Sequence, residues 1–361
     1  MSVHGRHADV WSRAALFPPR AHGAPLPFAE LKALPEDFRV EEQLSFIPSG
    51  SGPHWLMRVE KRAANTRWVA AEIARLAHLP ANDVGYAGLK DRQAVAVQWF
   101  SVPALATSAD YWSAVHTAEF RVLEVQGNSR KLKRGALTGN RFRIRLRKAA
   151  WSREQLELKL AAVRTHGVPN YFGPQRFGRE GYNLDRVQAW VQSGQAPRGR
   201  AERGFALSAA RSLLFNAVLA RRVEAGDWSQ LAPGDLASLD GSGSHFHVTA
   251  VDDELQRRLS SFDIHPSGPL WGRGEPQTQG QPRAHEIAVA QEFKEVADLL
   301  ASADLAQERR SLRCPVRELL VEAGSGTLTL SFMLGRGQFA TAVLREICES
   351  GPALGLESDE E

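Results

Sequence analysis

The sequence predicts a mixed α/β protein of two domains, the second inserted into the first. Its 361 residues, 43% of them apolar, exceed what one hydrophobic core usually organises. Strand and helix patterns alternate from Phe28 to about Ser101, and the final segment returns to strand, glycine-rich loop and helix. The region between them is mainly helical. We therefore expect a discontinuous domain over 1–154 and 313–361, and an inserted domain over 155–312.

The first block predicts a loop that carries an acidic residue into the core. HWLMRVEK (54–61) has a strand pattern, and TRWVAAEIARLAH (66–78) has apolar residues at helical spacing, with Asn65 or Thr66 as the cap. The apolar, β-branched and aromatic run AVAVQWFSV (94–102) is typical of a strand buried on both faces. Between them, GYAGLKD predicts a glycine-containing loop that ends at Asp91.

A basic stretch follows from Arg130 to Lys148, where nine of nineteen residues are basic and none is acidic. Four arginines (141, 143, 145 and 147) alternate with Phe142, Ile144 and Leu146, which is the pattern of a half-buried strand with one cationic face. Of the 45 basic residues in the chain, 37 are Arg. Such a bias suits phosphate binding, but it also arises from genome composition. The cationic face is therefore either an RNA-phosphate surface or an ordinary solvated strand face.

The later region predicts helices over 152–166, over LSAARSLLFNAVLARRVE (207–224) and over 286–300. The segment PSGPLWGRGEPQTQGQPR (266–283) is rich in glycine and proline, so we expect an exposed loop there.

Composition and spacing restrict the class of protein. The N-terminus lacks the apolar run of a secretory signal, and no eighteen apolar residues run together, so we expect a soluble, cytoplasmic protein. Cys314 and Cys348 match no zinc or redox spacing and are expected to be reduced, packed thiols. His245 and His247 are placed to share one strand face, but two imidazoles alone make a weak metal signal. We expect no metal and no disulfide.

Asp91 is the first candidate for chemistry. Its neighbours Lys90 and Arg92 are cations, which favour the ionised carboxylate at neutral pH. Taken alone, a K-D-R triplet is usually a solvated turn. The surrounding motifs have to decide its role.

Six motifs carry a specific resemblance. They are, in chain order, LKALPEDF, GYAGLKDRQAVAVQWFSV, GALTGNRF, VPNYFGPQRFG, LSAARSLLFN and GRGQFATAVLRE. In this order and spacing, from about 26 to 349, the chain resembles the TruD family of tRNA pseudouridine synthases. The resemblance implies a pseudouridine synthase core, with a mixed, largely antiparallel sheet flanked by helices, interrupted by an inserted α/β TRUD domain. It also implies an isomerase that converts uridine 13 of tRNA to pseudouridine without cofactor or metal, and that has no obligate protein partner, compatible with a monomer.

The resemblance assigns roles to individual residues. Asp91 matches the catalytic aspartate, which would attack the sugar, attack the base, or remove a sugar proton; the sequence does not choose among these routes. Phe142 matches the position that stacks on the base, although its alternation also predicts a core residue. The other expected substrate contacts are Lys32, Phe38, Asn140 and Phe339.

Basic residues are expected to bind the RNA backbone. The motif NYFGPQRFG suits RNA contact and equally suits domain packing. The expected phosphate contacts are Arg130, Lys131, Lys133, Arg134, Arg143, Arg145 and Arg176.

Two departures from the family pattern are Ala96, where a threonine is common, and Arg92, where a lysine is commoner.

Three alternatives stay open. The first is an RNA-binding protein that kept this fold and lost turnover, although Asp91 is intact. The second is a nucleotide-dependent enzyme, which the missing GxxxxGK[ST] motif disfavours. The third is a synthase that acts on another RNA, because fold-level resemblance fixes chemistry better than substrate.

Overall fold

The structure, a computed structural model, describes residues 3–149 and 151–350. These residues form two compact units. The sheet unit contains residues 26–149, 151–152, 316–338 and 348–350, and the helical unit contains residues 3–25, 153–315 and 339–347.

The bounds of the two units differ from the predicted domains at both ends of the chain. Residues 3–25 and 339–347 belong to the helical unit, whereas the sequence pattern grouped them with the discontinuous domain. The predicted assignment of functional domains stays a prediction.

The helices and strands have the following bounds. The helices are α1 Val3–Leu16, α2 Thr66–Leu76, α3 Ala109–Ser113, α4 Arg153–His166, α5 Tyr182–Ser193, α6 Arg200–Ala225, α7 Asp253–Ser260, α8 Gly280–Glu292, α9 Lys294–Ser302 and α10 Ala340–Ile347. The strands are β1 Leu26–Leu31, β2 Phe38–Leu44, β3 His54–Arg62, β4 Gly85–Tyr86, β5 Val95–Pro103, β6 Phe120–Asn128, β7 Leu137–Arg147, β8 Val168–Pro169, β9 Leu236–Leu239, β10 His245–His247, β11 Ile264–Leu270, β12 Glu308–Ser311, β13 Arg313–Cys314, β14 Arg317–Gly324, β15 Thr327–Gly335 and β16 Cys348–Ser350.

A ten-stranded sheet forms the sheet unit, with the order β14-β15-β7-β2-β5-β3-β6. In addition, β1 pairs with β7 and β16, and β4 pairs with β5. Only the β2–β5 and β1–β16 pairs are parallel among the strands described, which confirms the predicted mixed, largely antiparallel sheet. Residues 95–102 of β5 are all buried, as the apolar run predicted.

The helix α2 forms where its pattern predicted, and it ends two residues earlier. Its cap is Asn65, whose side chain accepts a hydrogen bond from the backbone N of Arg67 at 2.7 Å. Val69 and Ile73 are fully buried and belong to the same hydrophobic cluster as Phe100 of β5. The helix therefore packs on the central strand that follows the Asp91 loop.

The helical unit is built around the 26-residue helix α6, whose buried residues form one cluster with residues of α1, α5, α8 and α9. A four-stranded sheet of order β10-β9-β11-β12 and the pair β13–β8 complete it. This unit contains both helices and sheet, in agreement with the α/β character expected of the insertion.

Two predictions in the helical unit are wrong. The expected helix over 286–300 is two helices, α8 and α9, which are broken at Phe293, where ψ is 36°. The expected exposed loop begins with β11, whose residues 264–269 are buried. Gly268 explains this burial, because a Cβ there would lie 2.7 Å from Leu312 and 3.2 Å from Phe215. The glycine permits close packing that a loop interpretation overlooks.

The remaining predictions concern thiols, metals and membranes. Cys314 and Cys348 are buried, and neither forms a disulfide. His245 and His247 lie on β10 and are exposed. Within residues 3–149 and 151–350, no three His, Cys, Asp or Glu side chains are grouped as a metal site would need. No helix in that part of the chain is long and apolar enough to span a bilayer.

Candidate active site

Asp91 lies on the loop between β4 and β5, and both of its carboxylate oxygens are hydrogen-bonded. Oδ2 accepts from Nζ of Lys32, and Oδ1 accepts from the backbone N of Gln93 at 2.9 Å. The Asp91 side chain remains 27% exposed, whereas that of Lys32 is 4% exposed. The carboxylate is thus held in one orientation and is still reachable from solvent.

Lys32 reaches Asp91 from an unusual backbone conformation. It follows β1, and its φ is 57°, in the left-handed region that non-glycine residues seldom adopt. Its Nζ also lies 4.4 Å from the ring centroid of Phe38, a cation–π contact. Such strain is typical of sites where the surrounding structure fixes a functional side chain.

An aromatic cluster lies beside this ion pair. The ring of Phe38 meets the ring of Phe142 edge to face, with centroids 5.9 Å apart, and Phe142 stacks on Phe332 at 5.5 Å. Phe142 is 7% exposed, so it packs in the core of the sheet unit as its alternation predicted. The ring of Phe142 contacts Phe38, Phe38 contacts Nζ of Lys32, and Lys32 binds Asp91. The contacts therefore bring together a carboxylate, an ammonium group and two rings.

Asn140 lies two residues before Phe142 on β7, directly opposite Glu42 of β2. Its Oδ1 is buried and has no hydrogen-bond partner among the described residues. A buried carbonyl oxygen without a donor is energetically costly, and a substrate N–H or O–H would satisfy it.

The Asp91 loop is anchored by a buried ion pair. Nζ of Lys90 bonds to Oε2 of Glu42, and their side chains are 5% and 0% exposed. The other carboxylate oxygen of Glu42 accepts from the backbone N of Trp99 at 3.2 Å, and the backbone N of Lys90 donates to Oγ1 of Thr66 at 3.0 Å. The residue before Asp91 is therefore fixed to β2, to β5 and to the first turn of α2.

A second buried lysine holds the backbone of the loop. Lys61 of β3 is fully buried, and its Nζ donates to the carbonyl oxygens of Asp91 at 2.9 Å and of Ala64. The sequence did not lead us to expect Lys61 or Glu42 at the site, and Lys90, expected as a cation beside Asp91, pairs with Glu42 instead. The signal for Lys61 was present, since it follows Met57 and Val59 at period two and so shares their inward face.

The arginines of β7 lie on the opposite face of the sheet from Asn140 and Phe142. Arg143 pairs with Glu322 at 3.0 Å, and Arg145 is half-buried between Arg143 and Arg147. Arg141 and Arg147 pair with Glu318 and Asp37, each at 2.7–2.8 Å. Carboxylates from the protein itself thus partly neutralise this face, and an RNA-binding role for Arg143 and Arg145 stays a prediction.

The four basic residues before β7 are more accessible. Arg130, Lys133 and Arg134 are exposed, and Lys131 donates from Nζ to the carbonyl oxygen of Asn82. The guanidinium of Arg134 lies 4.2 Å from the ring centroid of Tyr86 and donates to its hydroxyl at 2.6 Å. Tyr86 belongs to β4, just before the Asp91 loop, so Arg134 contacts the strand that leads into that loop.

Two expected site residues belong to the helical unit instead. The ring of Phe339 lies 6.5 Å from that of Phe172, and Arg176 lies in the short 3-10 helix of the NYFGPQRFG motif. Their predicted roles as a substrate contact and a phosphate contact stay predictions.

The two positions that depart from the expected family pattern lie on β5 and on the Asp91 loop. Ala96 is fully buried on β5, between Val40 of β2 and Lys61 of β3. Arg92 follows Asp91 and is exposed. The contacts of Asp91 with Lys32 and Gln93 form without a threonine at position 96.

This arrangement suits chemistry on a base that has left its stack. A carboxylate can act as nucleophile or base, a neighbouring ammonium group can stabilise negative charge, and an aromatic ring can support a planar base. The described part of the chain supplies all three groups, linked by the contacts from Asp91 to Lys32, Phe38 and Phe142.

Comparisons with known proteins give the following matches. A family model described as tRNA pseudouridine synthase D (TruD) matches residues 24–196 and 203–347. The tRNA pseudouridine synthase D of Nitrosococcus oceani is 47% identical over 334 residues, which cover 92% of this chain and 93% of that protein. The protein of the same name from Methylococcus capsulatus is 44% identical, covering 92% of this chain and 95% of that protein. A crystal structure from Methanosarcina mazei under the same family name has a TM-score of 0.74 at 20% identity, covering 94% of this chain and 97% of that one, and it shows the shared fold alone.

Proposed function

The chain belongs to the TruD family of tRNA pseudouridine synthases, and we propose that it isomerises uridine 13 of tRNA to pseudouridine with Asp91 as the catalytic carboxylate. Family membership confirms the resemblance that the six motifs indicated. The observation that carries the role of Asp91 is its carboxylate, held by Lys32 and still 27% exposed, in the motif GLKDRQA.

The reaction rearranges one nucleoside without a net change in atoms. The bond from N1 of uracil to C1′ of ribose breaks, and a bond from C5 to C1′ forms. The hydrogen on C5 leaves as a proton, and N1 gains a proton. A carboxylate can begin this exchange at the sugar carbon, at the base, or at a sugar proton. All three routes need an ionised Asp91 beside the nucleoside.

A uridine inside folded tRNA has to leave its stack before Asp91 can reach it. Phe38 contacts Lys32 and packs edge to face on Phe142, and the two rings are 6% and 7% exposed, so the proposal needs the flipped base to reach the edge of this aromatic cluster. Asn140 lies two residues before Phe142 on the same face of β7, where its amide would hold the base by its edge. The same proposal places the protein in the cytoplasm, with tRNA as its substrate and no obligate protein partner.

The test uses purified wild type and Asp91→Asn with unmodified tRNA transcripts, followed by chemical mapping of pseudouridine. We expect pseudouridine at position 13 with wild type, and a rate at least about 10⁴-fold lower with Asp91→Asn, which corresponds to about 5 kcal/mol of barrier. Asp83→Asn is the matched control, because Asp83 lies in the short 3-10 helix before β4 and outside the contacts of Asp91. It should react at the wild-type rate.

Other outcomes select other functions. If wild type and Asp91→Asn bind tRNA equally and neither forms pseudouridine, the chain is an RNA-binding protein of this fold. If wild type modifies a different position or another RNA, the chemistry stands and the assignment to position 13 is wrong. Residual activity of Asp91→Asn near wild type would remove Asp91 from the mechanism.

A further inference from the structure

The helical unit contains a cavity that the proposed chemistry at Asp91 does not use. Its volume is about 300 Å³, and it opens beside the first half of α6. Among the described residues that line it there are two arginines and no aspartate or glutamate. The lining includes Phe172, Arg176, Leu207, Ser208, Arg211 and Leu270.

Arg176 is the best-placed cation in this cavity. Its Nη1 donates to Oγ of Ser208 at 3.0 Å, and its guanidinium lies 5.4 Å from the ring centroid of Phe172. The next residue, Phe177, is fully buried and fixes the backbone there. Among the described residues, Arg176 forms no ion pair, and Ser208 is the one hydrogen-bond partner of its guanidinium. The group is thus oriented and keeps donors available for an anion.

A second arginine lies behind Phe172 and adds positive charge. The guanidinium of Arg310 stacks 4.2 Å from the ring centroid of Phe172 and donates to Oδ1 of Asn170 at 2.7 Å. Burial lowers the pKa of Arg310 to about 10, and the nearby charge of Arg176 acts in the same direction. Both guanidinium groups contact the ring of Phe172, so their two positive charges together favour an anion in this part of the cavity.

Arg211 completes the cationic wall but is held by the protein. Its guanidinium donates to the carbonyl oxygens of Leu270 at 2.9 Å and Trp271 at 3.0 Å. Its acidic neighbour Glu308 lies 3.4 Å away and is 63% exposed, so solvent screens that pair. The charge of Arg211 therefore makes the electrostatic potential of the cavity more positive, while the N–H groups available to bind an anion are those of Arg176.

We propose that this cavity binds a phosphodiester group of the RNA substrate, with Arg176 as the principal donor and Ser208 as the side chain that orients it. The proposal rests on the proposed function, because it takes tRNA as the ligand. A forked guanidinium matches two phosphate oxygens, and contacts to phosphate fix the register of an RNA without reading its sequence. The cavity would then position tRNA from the helical unit, while Asp91 performs the chemistry in the sheet unit.

The test measures tRNA binding by Arg176→Gln across a series of salt concentrations. We expect Kd to rise about tenfold at low salt, and the slope of log Kd against log salt to fall by about one counterion. Arg179→Gln is the matched control, because Arg179 is an exposed cation three residues along the chain and carries the same charge. It should change Kd by less than about twofold and leave the slope unaltered.

Arg176→Lys provides a second variant in case the glutamine variant folds poorly. It keeps the charge and loses the fork, so the salt slope should stay at the wild-type value while Kd rises several-fold. A wild-type slope and Kd in both Arg176 variants would overturn the proposal. A second result would also overturn it. In that case inorganic phosphate raises the thermal stability of wild type, which shows that the cavity holds free phosphate, while the salt slope of tRNA binding is unaltered in Arg176→Gln. Pseudouridine formation by wild type is measured separately, so either result leaves the proposed function standing.

Discussion

Nζ of Lys32 donates a hydrogen bond to Oδ2 of Asp91, although the two residues are 59 positions apart in the chain. Lys32 holds this contact from a left-handed backbone conformation, with its aliphatic stem buried and its Nζ against Phe38. The contact joins the end of β1 to the loop before β5, and so it fixes the carboxylate from outside its own loop. The same ammonium group is placed to stabilise negative charge that moves from Asp91 onto the substrate.

Lys32→Met should therefore lower turnover much more than tRNA affinity. The change removes the ammonium group and keeps most of the buried volume, so we expect kcat to fall about 10²-fold with KM nearly unaltered. Single-turnover rates on a tRNA transcript measure this. In the Asp91→Asn background, Lys32→Met should lower the rate little further, because the carboxylate and the ammonium group act as a unit. If the rate of the double variant is instead the product of the two separate reductions in rate, the pairing of Lys32 with Asp91 is contradicted.

Asn140→Ala should separate function from stability. Since Oδ1 of Asn140 has no donor among the described residues, its removal should leave the free energy of unfolding unaltered or slightly higher. We expect kcat/KM to fall at least about tenfold if the amide contacts the uracil.

The matched control for Asn140 is Asn128→Ala. The amide of Asn128 is satisfied, because it accepts from the backbone N of Ser49 at 3.2 Å and donates to the carbonyl oxygen of Arg130 at 2.7 Å. Its loss should destabilise the protein by about 1–3 kcal/mol. Urea unfolding measures both variants, and an equal loss of stability in the two would show that Asn140 has a structural role.

Glu42→Gln should destabilise the protein strongly. It leaves the buried ammonium group of Lys90 without its counter-charge, which costs about 3–5 kcal/mol when both partners are buried. Glu322→Gln is the control, because Glu322 is 65% exposed in its pair with Arg143 and should cost less than about 1 kcal/mol. A loss below about 1 kcal/mol for Glu42→Gln, measured by urea unfolding, would mean that this pair does not anchor the loop.

The lowered pKa of His22 predicts that the folded protein becomes less stable at mildly acidic pH. Burial lowers the pKa of its imidazole below the ordinary 6.5, against a hydrogen bond to the Gly167 carbonyl oxygen that acts to raise it. The unfolded chain therefore binds the proton first. This contribution to stability is present above pH 6.5 and is lost as the pH falls below that value. In His22→Gln the unfolding free energy should depend less on pH between about 7.5 and 5, whereas the exposed control His247→Gln should follow wild type. A wild-type pH dependence in His22→Gln would contradict the assignment.

Local pattern was enough to predict the elements that frame the site. The run 94–102 is apolar because β5 is covered on both faces, and the alternation along β7 reflects one buried and one solvated face. Asp91, Lys32, Phe38, Asn140 and Phe142 came from motif resemblance. The structure connects the side chains of Asp91, Lys32, Phe38 and Phe142 through contacts, and it places Asn140 two residues before Phe142 on the same face of β7.

Tertiary context explains what the sequence did not predict. Lys90 and Glu42 are buried because each satisfies the other across 48 positions, and charged residues seldom suggest burial when they are read singly. Pro266 and Gly268 suggest a loop, yet β11 is buried because its glycine permits contact with Phe215. The break at Phe293 interrupts an apolar helical pattern that continues through it, so periodicity alone favours a single helix.

The most direct test of the central claim is release of tritium from a tRNA transcript labelled at C5 of its uridines. Bond formation between C5 and C1′ displaces that hydrogen into solvent, so its release reports the isomerisation itself. We predict about one tritium released per transcript with wild type, none above background with Asp91→Asn, and none from a transcript in which uridine 13 is replaced by cytidine. Release by Asp91→Asn at the wild-type rate, or undiminished release from the cytidine transcript, would contradict the account.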